Sequence, residues 1–229
     1  VTVSPDRLAV SAELAATVRF LVELDRAKSV ERRTYLVDGS RREDDASHMW
    51  HAAVAALVLA RDAPGGLDLG RAVAMLLVHD IPEIDAGDTL VYDSAARARA
   101  AALEEAGARR IFGLLPPDAA QQLAALWEEF EHGHTAEARF ARAVDRLLPL
   151  LANWAGGGRA WREHGVTADR VREVNALVGD AVPRLRLLVE ALVDDAVARG
   201  LLPESHGAPA TPAPTPAPPR SVTAPPAPP

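Results

Sequence analysis

Within LLVHDIPEIDAGD, residues 76–88, His79 and Asp80 stand side by side and are followed by Glu83, Asp85 and Asp88. Imidazole nitrogen and carboxylate oxygen are together the donors of a divalent transition metal such as Mn, Fe, Co, Ni or Zn, and a carboxylate beside such an ion can also move protons. Asp80 follows Val73 by seven residues and Leu76 by four, while His79 follows Met75 by four, so a helix through this stretch turns both polar groups to its apolar side. An ionised carboxylate placed there needs a cation or strong donors to compensate it. An isolated HD pair is also satisfied by a plain hydrogen bond in a core, so further ligands have to come from elsewhere in the chain.

Two other helical stretches offer them. In EDDASHMWHAAVAALVLA, His48 lies on the side of Ala52 and Ala55, where small side chains let a neighbouring helix approach, whereas His51 reads as an ordinary surface or core histidine. In EARFARAVDRLLPLLANW, Asp145 follows Ala141 by four residues and precedes Leu148 by three, an acid on an apolar stripe, with a surface pair to Arg142 as its alternative. His48, His79, Asp80 and Asp145 thus make a set of two imidazoles and two carboxylates that leaves coordination free for water or substrate. The chain has no cysteine, which excludes disulfides, thiolate zinc sites and cysteine nucleophiles.

The elements that must position these groups are helical. Strand-like alternation is nearly absent, while 3.6-residue spacing recurs, so the fold class expected is all-α, a single helical bundle over residues 4–202. With 229 residues, 48% of them hydrophobic and 4% aromatic, the chain can bury one core built of Leu, Val and Ala. A first helix carries Leu14, Val18, Leu21 and Leu24, started by Ser4-Pro5 or Ser11 and running towards Lys28; a polar loop spans residues 32–45. A second helix covers residues 46–61, and a third, capped by Asp68, runs to Ile81, where Pro82 bends or ends it. Further helices are expected at residues 94–114, 117–132, 135–155, 168–180 and 184–199, with a break at 156–158 and kinks at Pro149 and Pro183.

From Pro203 the composition turns to proline and alanine, and residues 203–229 read as a disordered or polyproline II tail, a solubilising extension rather than a ligand for a proline-recognising module. A net charge of -7, from 25 Lys+Arg against 32 Asp+Glu, argues against nucleic acid or an anionic membrane as the main partner. No apolar run reaches the ~20 residues of a bilayer span. The start VTVSPDRLAV lacks the basic and apolar regions of a secretory signal, so a cytoplasmic location is expected.

Taken in order, LDRAKSVERRTYL, EDDASHMWHAA, LLVHDIPEIDAGD, LWEEFEHGHTAEARFARAVDRLLPLL and WREHGV resemble the HD-domain metal-dependent phosphohydrolase superfamily, in its 5′-deoxynucleotidase-like branch, over roughly residues 14–200. The resemblance implies an HD-domain bundle, a homodimer of such bundles, and hydrolysis of a (deoxy)nucleoside 5′-monophosphate to nucleoside and phosphate. It implies one divalent metal (Co, Mn, Fe, Ni or Zn) on His48, His79, Asp80 and Asp145. Glu83 and Asp88 match the acids beside the attacking water and the scissile phosphate, and Arg32 matches an arginine that faces the phosphate, whereas Asp85 reads as a solvated loop acid.

The chain departs from the pattern at two places: many members carry tryptophan where Arg33 stands, and TLVYDSA replaces a proline-rich continuation with a lysine. A charged, hydrogen-bonding Arg33 near the sugar makes a 2′-modified nucleotide a candidate substrate. Two readings compete. A di-iron oxygenase or phosphodiesterase on the same fold needs extra histidines before the last aspartate, for which His132 and His134 are candidates although EHGHT reads as a loop. A non-catalytic nucleotide-binding module has only the proline-rich tail in its favour.

Overall fold

The computed structural model describes residues 5–204; Ser4 and the tail from residue 205 on, with the expectation made for it, lie outside the described residues. The described chain is a helical bundle with one small two-stranded sheet. Helix α1 (Ala12–Leu24) starts at Ser11, whose side chain accepts from the Leu14 N–H at 3.2 Å. Its buried residues are Ala15 and Phe20; Leu14 and Leu21, expected on the buried stripe, face outward instead. A 3₁₀ turn, Asp25–Ser29, takes the place of its expected last turn.

The stretch expected as a polar loop is a hairpin. Strand β1 (Glu31–Tyr35) pairs antiparallel with β2 (Arg42–Asp44), Glu31 opposite Asp44 and Tyr35 opposite Arg42. No apolar alternation marks it, because its one fully inward side chain is Arg32, with Glu31 and Arg33 on the outer face. That two-residue period is what separates the roles of the two neighbouring arginines.

Helix α2 (Asp45–Leu59) is capped by Asp44, which accepts from the Ser47 N–H at 2.8 Å. Its inner face carries Asp45, His48, Ala52 and Ala56, and the alanines let it lie close to α3 (Leu69–Leu76). Helix α3 ends five residues before the expected Ile81. The cause is Pro82: it has no N–H for the Val78 carbonyl, which the Ile81 N–H takes at 3.2 Å instead, so residues 77–82 form successive tight turns. A short α4 (Glu83–Ala86) follows and stops at Gly87, whose φ of 73° lies in the left-handed region that glycine adopts without strain.

Helices α5 (Ser94–Phe112), α6 (Pro117–His132), α7 (Ala136–Ala155), α8 (Arg159–Glu163), α9 (Ala168–Ala181) and α10 (Pro183–Ala198) complete the bundle. Helix α7 is its axis, burying Phe140, Ala141, Val144, Leu147 and Leu150 and packing on α2, α3, α6, α9 and α10. Pro149 does not interrupt α7, and Pro183 opens α10 as its first residue. Pro149 does remove the N–H that would bond the Asp145 carbonyl one turn earlier.

Helix α5 holds the turn that carries Glu83. A Cβ on Gly107 would lie 2.8 Å from the Pro82 carbonyl oxygen and 3.4 Å from the Asp85 Cβ. Gly107→Ala is therefore expected to lower stability by about 1–3 kcal/mol, since it overpacks against backbone. Thermal denaturation checks this; an unchanged melting temperature would mean that α5 can slide away from the turn.

Candidate metal centre and substrate cleft

Four side chains from three parts of the fold meet beneath an open cavity of about 200 Å³. His48, from α2, and Asp145, from α7, are 2.9 Å apart between Nε2 and Oδ1. The Nε2 of His79 lies 3.2 Å from Asp80 Oδ1 and 3.6 Å from Asp145 Oδ1, and His48 Nε2 is 3.9 Å from Asp80 Oδ2. His79 and Asp80 come from the turns after α3, yet they are buried, 6% and 7% exposed, so the inward direction expected of a helix is kept without one.

The second nitrogen of each imidazole points away from this centre, and that of His79 is hydrogen-bonded there. His79 Nδ1 is 3.0 Å from the Leu76 carbonyl, to which it donates, so Nε2 is the nitrogen turned to the carboxylates. His48 Nδ1 is 3.3 Å from Glu43 Oε2. The buried His79 Nε2 has no hydrogen-bond partner of its own, although two carboxylate oxygens stand beside it. Two imidazoles and the Asp145 carboxylate clustered together, with Asp80 Oδ1 3.2 Å from His79 Nε2, fit a divalent transition metal.

Arg32 reaches the same centre from β1. It donates to Asp80 and lies 3.5 Å from Asp45 Oδ1 and 3.7 Å from Glu43 Oε2. Asp45, Asp80 and Glu83 form a second acidic group beside the first, and the Arg32 guanidinium occupies it as a resident cation. Asp88 is fixed from the other side: after the Gly87 turn its Oδ2 accepts from the backbone N–H of Arg33 at 2.8 Å. Arg33 itself lines the cleft with its exposed side chain.

Glu43, Asp45, Asp80, Glu83, Asp88 and Asp145 thus crowd the centre that Arg32 enters. Burial opposes the charge on Asp80, but His79 and Arg32 outweigh it and hold that carboxyl below its ordinary range. Burial likewise opposes the charge on Asp145, and the hydrogen bond with His48 together with the neighbouring His79 holds it well below. Burial, with Asp80 next, pushes Asp45 up to about 8 and Glu83 well above its usual range. Burial works against the His79 imidazolium, yet Asp80 and Asp145 raise it to about 10. The raised carboxyls, Asp45 and Glu83, and the raised His79 report the excess of negative charge, while Asp80 and Asp145 are lowered because the imidazoles and Arg32 lie against them.

Glu43 and Asp45 escape a reading of the sequence because EDDAS looks like an ordinary helix start, where acids favour the dipole and cap the N–H groups. His51 is exposed on α2, and Asp85 bonds Arg110 on α5, away from the centre. His132 and His134 are exposed and stack on each other with ring centroids 6.1 Å apart, so they do not join the other histidines.

A family model described as HD domain matches residues 24–186. Human 5′-deoxynucleotidase HDDC2 is 33% identical over 135 residues, 58% of this chain, and the match spans 65% of the human protein's length. The mouse protein of the same name is 32% identical over 145 residues, 63% of this chain and 71% of its own. A crystal structure described as a predicted metal-dependent phosphohydrolase from Magnetospirillum magnetotacticum MS-1 is 47% identical, covers 84% of this chain and all of its own (100%), and superposes with a TM-score of 0.79. A Pyrococcus horikoshii OT3 protein, 18% identical, covers 76% of this chain and 99% of its own with a TM-score of 0.57, and shares the fold.

Proposed function

Because this chain belongs to the HD domain family, we propose that it is a metal-dependent phosphomonoesterase that hydrolyses a nucleoside 5′-monophosphate to nucleoside and phosphate. The observation that carries this is the cluster of His48, His79 and Asp145, with Asp80 beside it at 3.2 Å from His79 and 3.9 Å from His48, and with Arg32, Glu83 and Asp88 lining the adjoining cleft. The names of the deoxynucleotidase and phosphohydrolase relatives point the same way. Residues 4–202 are taken as the HD domain and 203–229 as its appended tail.

Within this reading His48, His79, Asp80 and Asp145 hold one divalent ion, of the Mn, Fe, Co, Ni or Zn class. When bound, such an ion polarises a phosphoryl oxygen and acidifies water. Arg32 offers its guanidinium to the phosphoryl oxygens, where its charge offsets the charge that develops in the transition state. Glu83 handles the proton of the attacking water, since its buried Oε2 has no partner in the fold. Asp88, anchored by the Arg33 N–H, orients the water and the leaving 5′-oxygen.

A single metal is favoured over a pair because Arg32 already fills the second acidic group, and because His132 and His134 stand apart. This weighs against the di-iron and phosphodiesterase reading. A binding module without turnover would have no use for the partnerless Glu83 beside the metal ligands.

We place the enzyme in the cytoplasm; no helix among the described residues is long and apolar enough to cross a membrane. A homodimer belongs to the same reading. Its support is that α2 is apolar on both sides, with Trp50, Val54, Leu57 and Val58 recurring at helical spacing on the exposed face.

Metal-dependent phosphate release from a panel of ribo- and deoxynucleoside monophosphates tests the activity; no release from any member, with any of the five metals, would overturn it. Arg33 is placed beside the sugar, where it tolerates a 2′ substituent. Arg33→Trp is therefore expected to shift the ratio of kcat/KM values towards 2′-deoxyribose by about tenfold, and an unchanged ratio would remove Arg33 from sugar selection.

A further inference from the structure

Beyond the metal the cleft continues between α7, α9 and the loop after Asp88, where Leu150, Val166, Tyr92 and Trp161 form apolar and aromatic walls. Two polar side chains line this same cleft without their bonds made. Arg146 directly follows Asp145 on α7, and its Nε is buried with no partner. Its guanidinium has no hydrogen bond or salt bridge among the described residues. The charge of Asp145 next to it is already engaged by His48 and His79.

Asn175, on α9, is 2% exposed. Its Nδ2 donates to the Val171 carbonyl at 2.8 Å, which fixes the amide so that Oδ1 is the free end, and that oxygen is buried and unpartnered. A buried donor without an acceptor and a buried acceptor without a donor are each unfavourable, by about 1–3 kcal/mol. Nothing in the packing of α7 requires a guanidinium here.

A ligand that satisfies both groups must be flat enough for the aromatic walls, must bring an acceptor to Arg146 and must bring an N–H to Asn175. A second phosphate fails the last condition, because an anion would face the Asn175 oxygen. A purine with an oxo group beside a ring N–H meets all three: a guanidinium fork matches the O6 and N7 edge of guanine, and the neighbouring N–H groups supply the donor. In adenine the oxo group is replaced by an amino group, which sets donor against donor at Arg146.

We propose that Arg146 and Asn175 select the base, and that the preferred substrates are 6-oxopurine nucleotides, those of guanine or hypoxanthine, over their 6-amino counterparts. The proposal rests on the phosphomonoesterase reading for the position of the phosphate, but the recognition of the base does not depend on turnover.

The test compares GMP with AMP in kcat/KM on the metal-loaded protein, and guanosine with adenosine in calorimetric binding, for the wild type, Arg146→Met and Asn175→Leu. The wild type should favour the oxopurine by about tenfold or more in both measurements, and each variant should reduce that ratio to near unity, mainly through KM. Arg146→Met should melt no lower than the wild type, because it removes a guanidinium that has no hydrogen bond or salt bridge among the described residues. Equal treatment of the two bases by the wild type, or a ratio that neither variant changes, overturns the proposal. Guanosine preference in binding without phosphate release from GMP, AMP or their 2′-deoxy counterparts would count against the phosphomonoesterase reading while supporting this one.

Discussion

Asp80→Asn is expected to abolish divalent-metal retention and phosphate release together. Asp80 is the carboxylate that links both histidines to Arg32: Oδ1 is 3.2 Å from His79 Nε2, Oδ2 is 3.9 Å from His48 Nε2, and the same Oδ2 accepts from Arg32. Losing one of four ligands removes charge as well as a bond, so metal affinity should fall by more than the roughly 10–100-fold seen when only a supporting group is removed. Without the ion, the polarisation and the acidified water are lost together, and turnover should drop to background.

The amide is preferred to alanine for a physical reason. Asp80 is the buried partner of a buried arginine, and deleting such a partner outright destabilises by about 3–5 kcal/mol, which would confuse unfolding with loss of function. Asparagine keeps the volume and one acceptor for Arg32. Metal content by mass spectrometry and phosphate release are the two measurements. An Asp80→Asn protein that still carried one metal per chain and turned over normally would remove Asp80 from the ligand set.

The sequence carries the helices better than their ends. Residues 117–132 are helical as expected, because Pro117 at the first turn and Gly133 after the last mark both limits. The end of α3 is harder to place: Pro82 predicts a stop at Ile81, but the missing N–H acts four residues back, on the Val78 carbonyl. The hairpin over residues 31–44 is hidden for another reason. Strands are recognised by apolar alternation, and here the inward position is an arginine that faces acids instead of a core.

The same distinction separates the site residues. His48, His79, Asp80 and Asp145 stand out because each is polar on an apolar stripe; the structure clusters His48, His79 and Asp145 and sets Asp80 3.2 Å from His79. Glu43, Asp45 and Arg146 do not, since acids at a helix start and an arginine next to an aspartate have ordinary explanations along the chain. Only the packing of α2 and α7 against the hairpin and α9 reveals that their neighbours in space are different.

Glu83→Gln is expected to lower kcat by about 10²–10⁴-fold while leaving metal content at the wild-type level, as fits a group that moves a proton and does not hold the ion. The stability of the metal-free protein should respond as well, and in a definite direction. Burial, together with Asp80 and Asp45, pushes the Glu83 carboxyl well above its ordinary value of 4.5. Below that value both the folded and the unfolded chain hold the proton, and Glu83 has no pH-dependent effect. Above it the unfolded chain releases the proton and the folded chain keeps it, so the wild type loses stability as pH rises until the folded group also titrates.

Glutamine stands in for the protonated acid and carries no such dependence. The variant should therefore match the wild type at acid pH and exceed it increasingly at neutral and alkaline pH, with Asp45 and Asp88, both raised by burial, adding a common slope to both proteins. Denaturant unfolding across pH in the presence of chelator reads this difference, and single-turnover phosphate release reads the catalytic loss. If the Glu83→Gln protein turned over at the wild-type rate, the proton would have to pass through Asp88; if it lost its metal, Glu83 would be a ligand.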